Sequence, residues 1–310
     1  TNRMFDLVAL LAVGLLRAPL APSMRPVALS SPAAATSRAH PTMDADECVV
    51  LPESYTLIST ALLGSLLGLS EQPCRTPPLP PRLRNRYFAL RHGQSEANVE
   101  GIISSDPSVG TVIHGLTPMG KLQARRAATK LIDAVGREQL DRLYFYSSDF
   151  TRAAQTADEA LAGVMNVLQY ENAAMDEDSS AALPEALTAG VRRTPLLRER
   201  YFGELEAQAL INYQKVWPRD LVSAAHTSFS VESVEAVAER VRSFILQAEE
   251  AHSHATIVLV SHADTLQISQ CFIAGADCRT FCQYRFQNGE VRELAQGEDT
   301  LPAPVPLSYE

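Results

Sequence analysis

Two histidines stand directly after apolar segments that have the composition of buried strands. Residues 87–90 are aromatic or aliphatic and lead to Arg91 and His92, and the apolar run at 256–260 leads to His262. In open α/β sheets, ligands bind outside the carboxyl ends of the strands. If the two strands are neighbours, both imidazoles reach one site, where a neutral histidine can act as a nucleophile. A single histidine at a strand end is more often a hydrogen-bonded structural group.

The elements that must position these histidines alternate along the chain. Strand-like and helix-like segments follow one another after residue 86, a pattern typical of an α/β sheet with helices on its faces. Thr117 and Pro118 provide a cap and a first-turn proline, so the sequence predicts a helix from Pro118 to just before Gly136. Helical spacing resumes over residues 151–168, and we interpret the acidic and alanine-rich segment 167–193 as an insertion.

Further polar and glycine-containing motifs stand in a fixed order along the chain. They are Arg91-His92-Gly93-Gln94 with Asn98, Leu116-Thr117 with Gly120, Ser147-Ser148 with Thr151-Arg152, Arg198-Glu199 with Phe202-Gly203, Glu232-Ser233, and Val260-Ser261-His262. In this order they resemble the signature of the histidine phosphatase superfamily, in its phosphoglycerate mutase-like branch, over residues of about 86–275. The resemblance implies a three-layer α/β/α fold with a mixed, mostly parallel central sheet.

The same residues can carry phosphoryl transfer without a metal or a cofactor. His92 would attack phosphorus in line and hold the phosphoryl group as a phosphohistidine. Arg91, Arg152 and His262 would donate hydrogen bonds to the equatorial phosphoryl oxygens. Glu199 would protonate the leaving alkoxide and then activate water, a role that requires a raised pKa. Each residue taken alone also has an ordinary role, in a surface ion pair or at a helix start.

Gln94, Ser95 and Asn98 follow His92 on a predicted loop and are candidate substrate-binding residues. They can contact phosphate or orient the imidazole. The alternative is an ordinary structural role, because serine and asparagine are also common turn residues.

Three residues outside the motifs have two interpretations each. Asp264 stands where the family often has a small residue, and it is predicted to cap the following helix. The alternative is a hydrogen bond near the site that alters substrate choice. Tyr213 and Trp217 are predicted to fill the core, and the alternative is that they stack on a substrate.

Phosphate monoester hydrolysis is the activity that the sequence favours. Ala97 stands where phosphoglycerate mutases usually have an aromatic residue, and residues 99–114 contain no Arg or Lys to grip a second anionic group. A mutase must retain its intermediate, whereas a phosphatase lets water take the phosphoryl group. A phosphoglycerate mutase-like phosphotransferase and a catalytically silent phospholigand-binding protein are the alternatives.

The net charge and the cysteine spacing restrict which ligands and macromolecules the protein is expected to bind. The formal net charge of -9 over 310 residues repels nucleic acid, so an anionic ligand must find a local basic site. The five cysteines include no C-x-x-C pair, which argues against a zinc site or a redox dithiol. The expected partner is a small phosphorylated substrate, and a phosphoprotein is a further candidate; no metal and no cofactor are expected.

The predicted domain organisation has three parts. Residues 1–82 are interpreted as a leader with a proline-rich linker, residues 83–296 as the catalytic domain, and residues 297–310 as a C-terminal tail. The two apolar runs of the leader are shorter than a usual membrane span, so no stable span is expected in the mature protein. An organellar (plastid or mitochondrial) or secretory targeting signal and a cytoplasmic protein with a translated leader are the alternatives for localisation.

Overall fold

A mixed sheet of five strands forms the centre of the molecule, in the order β3-β2-β4-β1-β5. The computed structural model describes residues 64–65, 67–175 and 182–307. The strands are β1 (Arg86–Arg91), β2 (Leu143–Ser147), β3 (Arg192–Arg193), β4 (Thr256–Ser261) and β5 (Val291–Leu294). Four of them are parallel and β5 is antiparallel to β1. The predicted mixed, mostly parallel sheet is therefore confirmed.

Helices cover both faces of this sheet. In the described part of the chain they are α1 (Glu96–Glu100), α2 (Pro107–Gly110), α3 (Pro118–Val135), α4 (Thr151–Met175), α5 (Glu185–Thr188), α6 (Trp217–Asp220), α7 (Val234–Ala251) and α8 (Ala263–Ala274). Phe88 and Leu90 of β1 point into a core shared with α3 and α4. Tyr87 and Ala89 point into a second core shared with α7 and α8. Because successive side chains of a strand alternate between faces, one apolar strand serves both cores. The three-layer prediction is thus confirmed.

The boundaries of α3 follow from local sequence. The hydroxyl of Thr117 accepts a hydrogen bond from the Gly120 amide, Pro118 occupies the first turn, and Gly136 ends the helix with a φ of 88°. Helix α4 continues to Met175, beyond the predicted end at residue 168. Its last turns contain Glu, Asn and Ala residues, of which alanine is the strongest helix former. The predicted insertion 167–193 therefore contains the end of α4, helix α5 and the edge strand β3.

The segments before and after the predicted catalytic domain contact it. Gln72 forms a parallel bridge with Ser223, and Cys74 and Leu79 pack against the core beside α7. Leu307 is buried in the same core. Most of the predicted leader lies outside the described residues. Within the described part of the chain, no helix is both long and apolar enough to cross a membrane.

Candidate active site

The histidines that follow β1 and β4 lie side by side. The two strands pair in parallel with Arg91 opposite Ser261, which brings His92 and His262 to the same edge of the sheet. Their ring centroids are 5.1 Å apart, and both side chains are buried. The structure therefore brings together the two imidazoles that the sequence placed at separate strand ends.

The imidazole of His92 is held in one tautomer. Its Nδ1 lies 2.7 Å from the carbonyl oxygen of Gly93, which can only accept, so Nδ1 carries the proton. Nε2 is then a lone-pair nitrogen, and the Nε of Arg152 donates to it over 3.2 Å. Burial, followed by the charges of Arg152 and Arg91, lowers the pKa of His92 well below its ordinary value. The ring is consequently neutral at neutral pH, and its Nε2 carries a lone pair.

This state of His92 gives a prediction for NMR. In protein labelled with ¹⁵N-histidine, we expect His92 to show a protonated Nδ1 and an unprotonated Nε2 throughout pH 7.5 to 5.5. The reason is that a lowered pKa keeps the ring neutral as the pH falls through the ordinary histidine value of about 6.5. N-acetylhistidine in the same buffer is the reference and titrates across this range. Titration of His92 together with the reference compound would contradict the assigned state.

Arg152 is fixed beside His92 at the start of α4. Its Nη2 donates to the carbonyl oxygen of Ser104 over 2.8 Å and its Nη1 to the Ser104 hydroxyl over 3.4 Å. The guanidinium also lies over the ring of Phe150, with 5.2 Å to the centroid. Burial lowers the pKa of Arg152 to about 10, which leaves the group charged at neutral pH. A fixed cation thus stands next to Nε2 of His92.

Arg91 supplies a second cation to the same cavity. Its Nη1 donates to the carbonyl oxygen of Phe286 over 2.6 Å. Its Nε is buried and has no hydrogen-bond partner among the residues that the structure describes. Burial lowers the pKa of Arg91, since its charge is poorly solvated there. A buried donor without a partner is suited to an anionic ligand.

His262 packs against His92 on the side away from the cavity lining. Its Nε2 is 2.9 Å from the hydroxyl of Ser148, and its Nδ1 is buried without a partner in the described chain. Burial and the charge of Arg152 lower the pKa of His262 well below its ordinary value. The ring packs against His92 and Phe150, but it is not among the residues that line the cavity.

Glu199 lies in the wall of the cavity that His92 lines and is 9% exposed. Its Oε1 accepts hydrogen bonds from the Arg200 amide over 2.9 Å and from the amide and hydroxyl of Thr265, both over 3.3 Å. These bonds hold one carboxyl oxygen on the protein. The carboxyl group is therefore fixed in the wall of the cavity that His92 also lines.

Two of the three predicted substrate-binding residues on the loop after His92 line the cavity, and the third does not. Ser95 caps α1 in a capping box with Asn98, and both line the cavity. Gln94 is outside the cavity lining, because its Oε1 accepts a hydrogen bond from the Thr117 hydroxyl over 2.8 Å. The loop lies tightly on α3, since a Cβ on Gly93 would be 2.3 Å from the carbonyl oxygen of Gly120. Gln94 thus anchors the loop to α3.

The cavity has a volume of about 160 Å³. Besides the predicted residues it is lined by Ser104, Tyr213, Trp217, Asp264, Gln267 and Arg285. The cap prediction for Asp264 was wrong, because α8 has no side-chain cap and the carboxyl instead accepts a hydrogen bond from the Trp217 indole. Trp217 is buried in the core, as predicted, and it also lines the cavity. Within the described residues, no group of three or more His, Cys, Asp or Glu side chains could hold a metal ion.

The fold and the cavity define an α/β protein with a buried neutral histidine and an arginine at the end of a parallel strand, and a second arginine at the start of helix α4 beside them. The sequence model of one protein family, the histidine phosphatase superfamily (branch 1), matches residues 87–177 and 177–301 of this chain. The chain therefore belongs to the histidine phosphatase superfamily.

Solved structures share this fold. The native mycobacterial glucosyl-3-phosphoglycerate phosphatase Rv2419c is 18% identical, with a TM-score of 0.51 over 72% of this chain and 99% of that chain. The same phosphatase in complex with VO3 is 20% identical, with a TM-score of 0.50 over 67% and 90% of the two chains. The product of open reading frame Rv3214 from Mycobacterium tuberculosis is 19% identical, with a TM-score of 0.50 over 73% and 99%. Comparison with curated proteins gives no match.

Proposed function

We propose that the protein is a metal-independent phosphate monoester hydrolase that acts through a phosphohistidine at Nε2 of His92. The observation that carries this proposal is the lone-pair Nε2 beside the charged Nε of Arg152 in a buried cavity. Arg152 and Arg91 supply the positive charge that a phosphoryl group requires, so the reaction needs no metal. The superfamily of the chain and the name of one solved neighbour, a phosphatase, support the same class of activity.

The proposed reaction has two in-line displacements at phosphorus. In the first, Nε2 of His92 forms a bond to phosphorus while the bond to the alkoxide oxygen breaks, and Glu199 gives that oxygen a proton. In the second, the Glu199 carboxylate takes a proton from water, whose oxygen attacks phosphorus as the bond to Nε2 breaks. Inorganic phosphate leaves, and both side chains return to their starting states.

Phosphate release in the presence of an acceptor tests the proposal against its alternatives. The purified protein would be given aryl phosphate, sugar phosphates, phosphoglycerate, nucleoside monophosphates and a phosphopeptide, each with and without glycerol. We expect free phosphate as the main product, because the residues after Asn98 offer no Lys or Arg up to His114 to hold an intermediate. Transfer to glycerol or to a second substrate molecule as the main product would instead establish a phosphotransferase. Binding of esters without release or transfer would establish a phospholigand-binding protein.

A further inference from the structure

An acidic side chain lies in the wall of the cavity that holds the cations. Asp264 is the second residue of α8 and is 1% exposed. It lines the same cavity as His92, Arg91 and Arg152. A carboxylate in a cavity that binds an anion weakens that binding by charge repulsion. Its presence there therefore indicates a separate role, such as selection between ligands.

Asp264 is held from behind by a chain of buried contacts. Its Oδ2 accepts a hydrogen bond from the indole nitrogen of Trp217 over 3.2 Å and lies 3.5 Å from Nη1 of Arg200. Arg200 is itself fixed by two hydrogen bonds to Asp220, of 2.7 and 2.8 Å. We find no hydrogen bond to Oδ1 of Asp264 within residues 67–175 and 182–307. Oδ2 is therefore anchored by Trp217 and Arg200, and Oδ1 remains available to a ligand in the cavity that Asp264 lines.

We propose that Asp264 selects phosphate monoesters whose alcohol carries a neutral hydroxyl near the phosphoryl group, and that it rejects esters with a carboxylate or a second phosphate there. This inference rests on the proposed function, whose substrate class it specifies. A carboxylate accepts a hydrogen bond from a hydroxyl, and the protonated acid donates one, so Asp264 can pair with a hydroxyl in either state. A second anion is repelled by the carboxylate form.

The remaining cavity wall fits a small polyhydroxylated alcohol. Gln267 and Gln287 also line the cavity, and a primary amide both donates to and accepts from hydroxyl groups. Arg285 also lines the cavity; its guanidinium is 4.7 Å from the centroid of Trp217, and its Nε donates to the Cys282 carbonyl. The indole of Trp217 thus contacts both Arg285 and the anchored oxygen of Asp264.

The selection is expected to depend on pH. In the protein without ligand, burial and the charge of Glu199 raise the pKa of Asp264 to about 7. The titratable and charged groups that act on Asp264 or respond to its charge are Glu199, Arg200, Asp220, Tyr213, Arg91 and Cys282. Since the carboxylate form becomes dominant as the pH rises through 7, rejection of a second anion is expected to strengthen over that interval.

Two esters that differ at one carbon test the proposal. Glycerol 3-phosphate and 3-phosphoglycerate share the carbon skeleton and the phosphate position, but one ends in a hydroxymethyl group and the other in a carboxylate. We expect wild-type kcat/KM to favour glycerol 3-phosphate by about tenfold or more at pH 8. The preference should shrink to about threefold or less in Asp264→Asn, which removes the charge and keeps the shape. Asp158→Asn, at an exposed residue paired with Arg193, is the control and should keep the wild-type ratio.

The outcomes separate this inference from the proposed function. The selection by Asp264 would be overturned if active wild-type protein showed equal kcat/KM for the two esters or preferred 3-phosphoglycerate. It would also be overturned if the ratio of the two kcat/KM values were unchanged in Asp264→Asn. If Asp264→Asn does not fold, the wild-type ratio measured from pH 6 to 8 decides, because the proposal requires it to rise. If the wild type releases no phosphate from any ester, the proposed function fails. The dissociation constants of the two esters, measured by calorimetry over the same pH range, would then test the selection alone.

Discussion

Replacement of His92 by alanine is expected to lower kcat for phosphate release by about 10⁴-fold or more. The physical reason is that His92 supplies the only imidazole nitrogen with a lone pair among the cavity-lining residues of the described chain. Arg152 and Arg91 would still hold the phosphoryl group, so the dissociation constant for inorganic phosphate should change little. Steady-state phosphate release and phosphate binding by calorimetry, on the same preparations, check both parts of this prediction.

His252→Ala is the matched control for that experiment. His252 also has a lowered pKa, from burial and the charge of Arg192, but it contacts Tyr146 and Arg192 outside the cavity. Its replacement should leave kcat within about twofold of wild type, because no cavity residue depends on it. A similar loss of activity in both variants would show that the effect of His92→Ala comes from a general disturbance of the fold.

Replacement of Arg200 by methionine is expected to cost about 3–5 kcal/mol of unfolding free energy. Arg200 and Asp220 are both fully buried and joined by two hydrogen bonds. Burial alone would lower the pKa of Arg200, but the Asp220 carboxylate raises it above its ordinary value. Without the guanidinium, Asp220 stays buried, and within the described residues its side chain keeps only the hydrogen bond with His226 over 2.6 Å. Urea unfolding monitored by circular dichroism measures the change.

Arg198→Met provides the comparison for this ion pair. Arg198 pairs with Asp149 over 2.6 Å, but their side chains are 29% and 26% exposed. Water compensates such a pair when it is broken, so the expected loss is less than about 1 kcal/mol. Equal losses in Arg200→Met and Arg198→Met would contradict the assigned role of the buried pair.

The sequence was sufficient to predict strands β1 and β4, whereas the mixed, mostly parallel sheet was implied by the family resemblance. Residues 87–90 and 257–260 are aromatic or aliphatic at every position, which is typical of central parallel strands that are buried on both faces. The histidines at the ends of these two strands then meet at one site if the strands are neighbours in the sheet. The end of α4 was predicted less well, because alanine-rich and acidic residues suit both a helix and a loop.

Contacts between distant residues could not be predicted. Ser104 holds Arg152, and Trp217 holds Asp264, across separations of 48 and 47 residues. Neither Ser104 nor Asp264 carries a local signal for its partner, since serine and aspartate are common in turns and caps. The hydrogen bond between Gln94 and Thr117 was equally hard to predict, because it depends on how the loop lies on α3. The position of Asp264 directly after the His262 motif was the one signal that pointed to the cavity.

A phosphoryl adduct on His92 is the central claim, and rapid-quench mass spectrometry tests it most directly. The protein would be mixed with the best ester, quenched on the millisecond scale under alkaline conditions that preserve phosphohistidine, and digested. The account predicts a phosphoryl group on the peptide that contains His92, which forms before free phosphate appears and then decays to it. Phosphate release from an active protein that never carries the adduct would contradict the account.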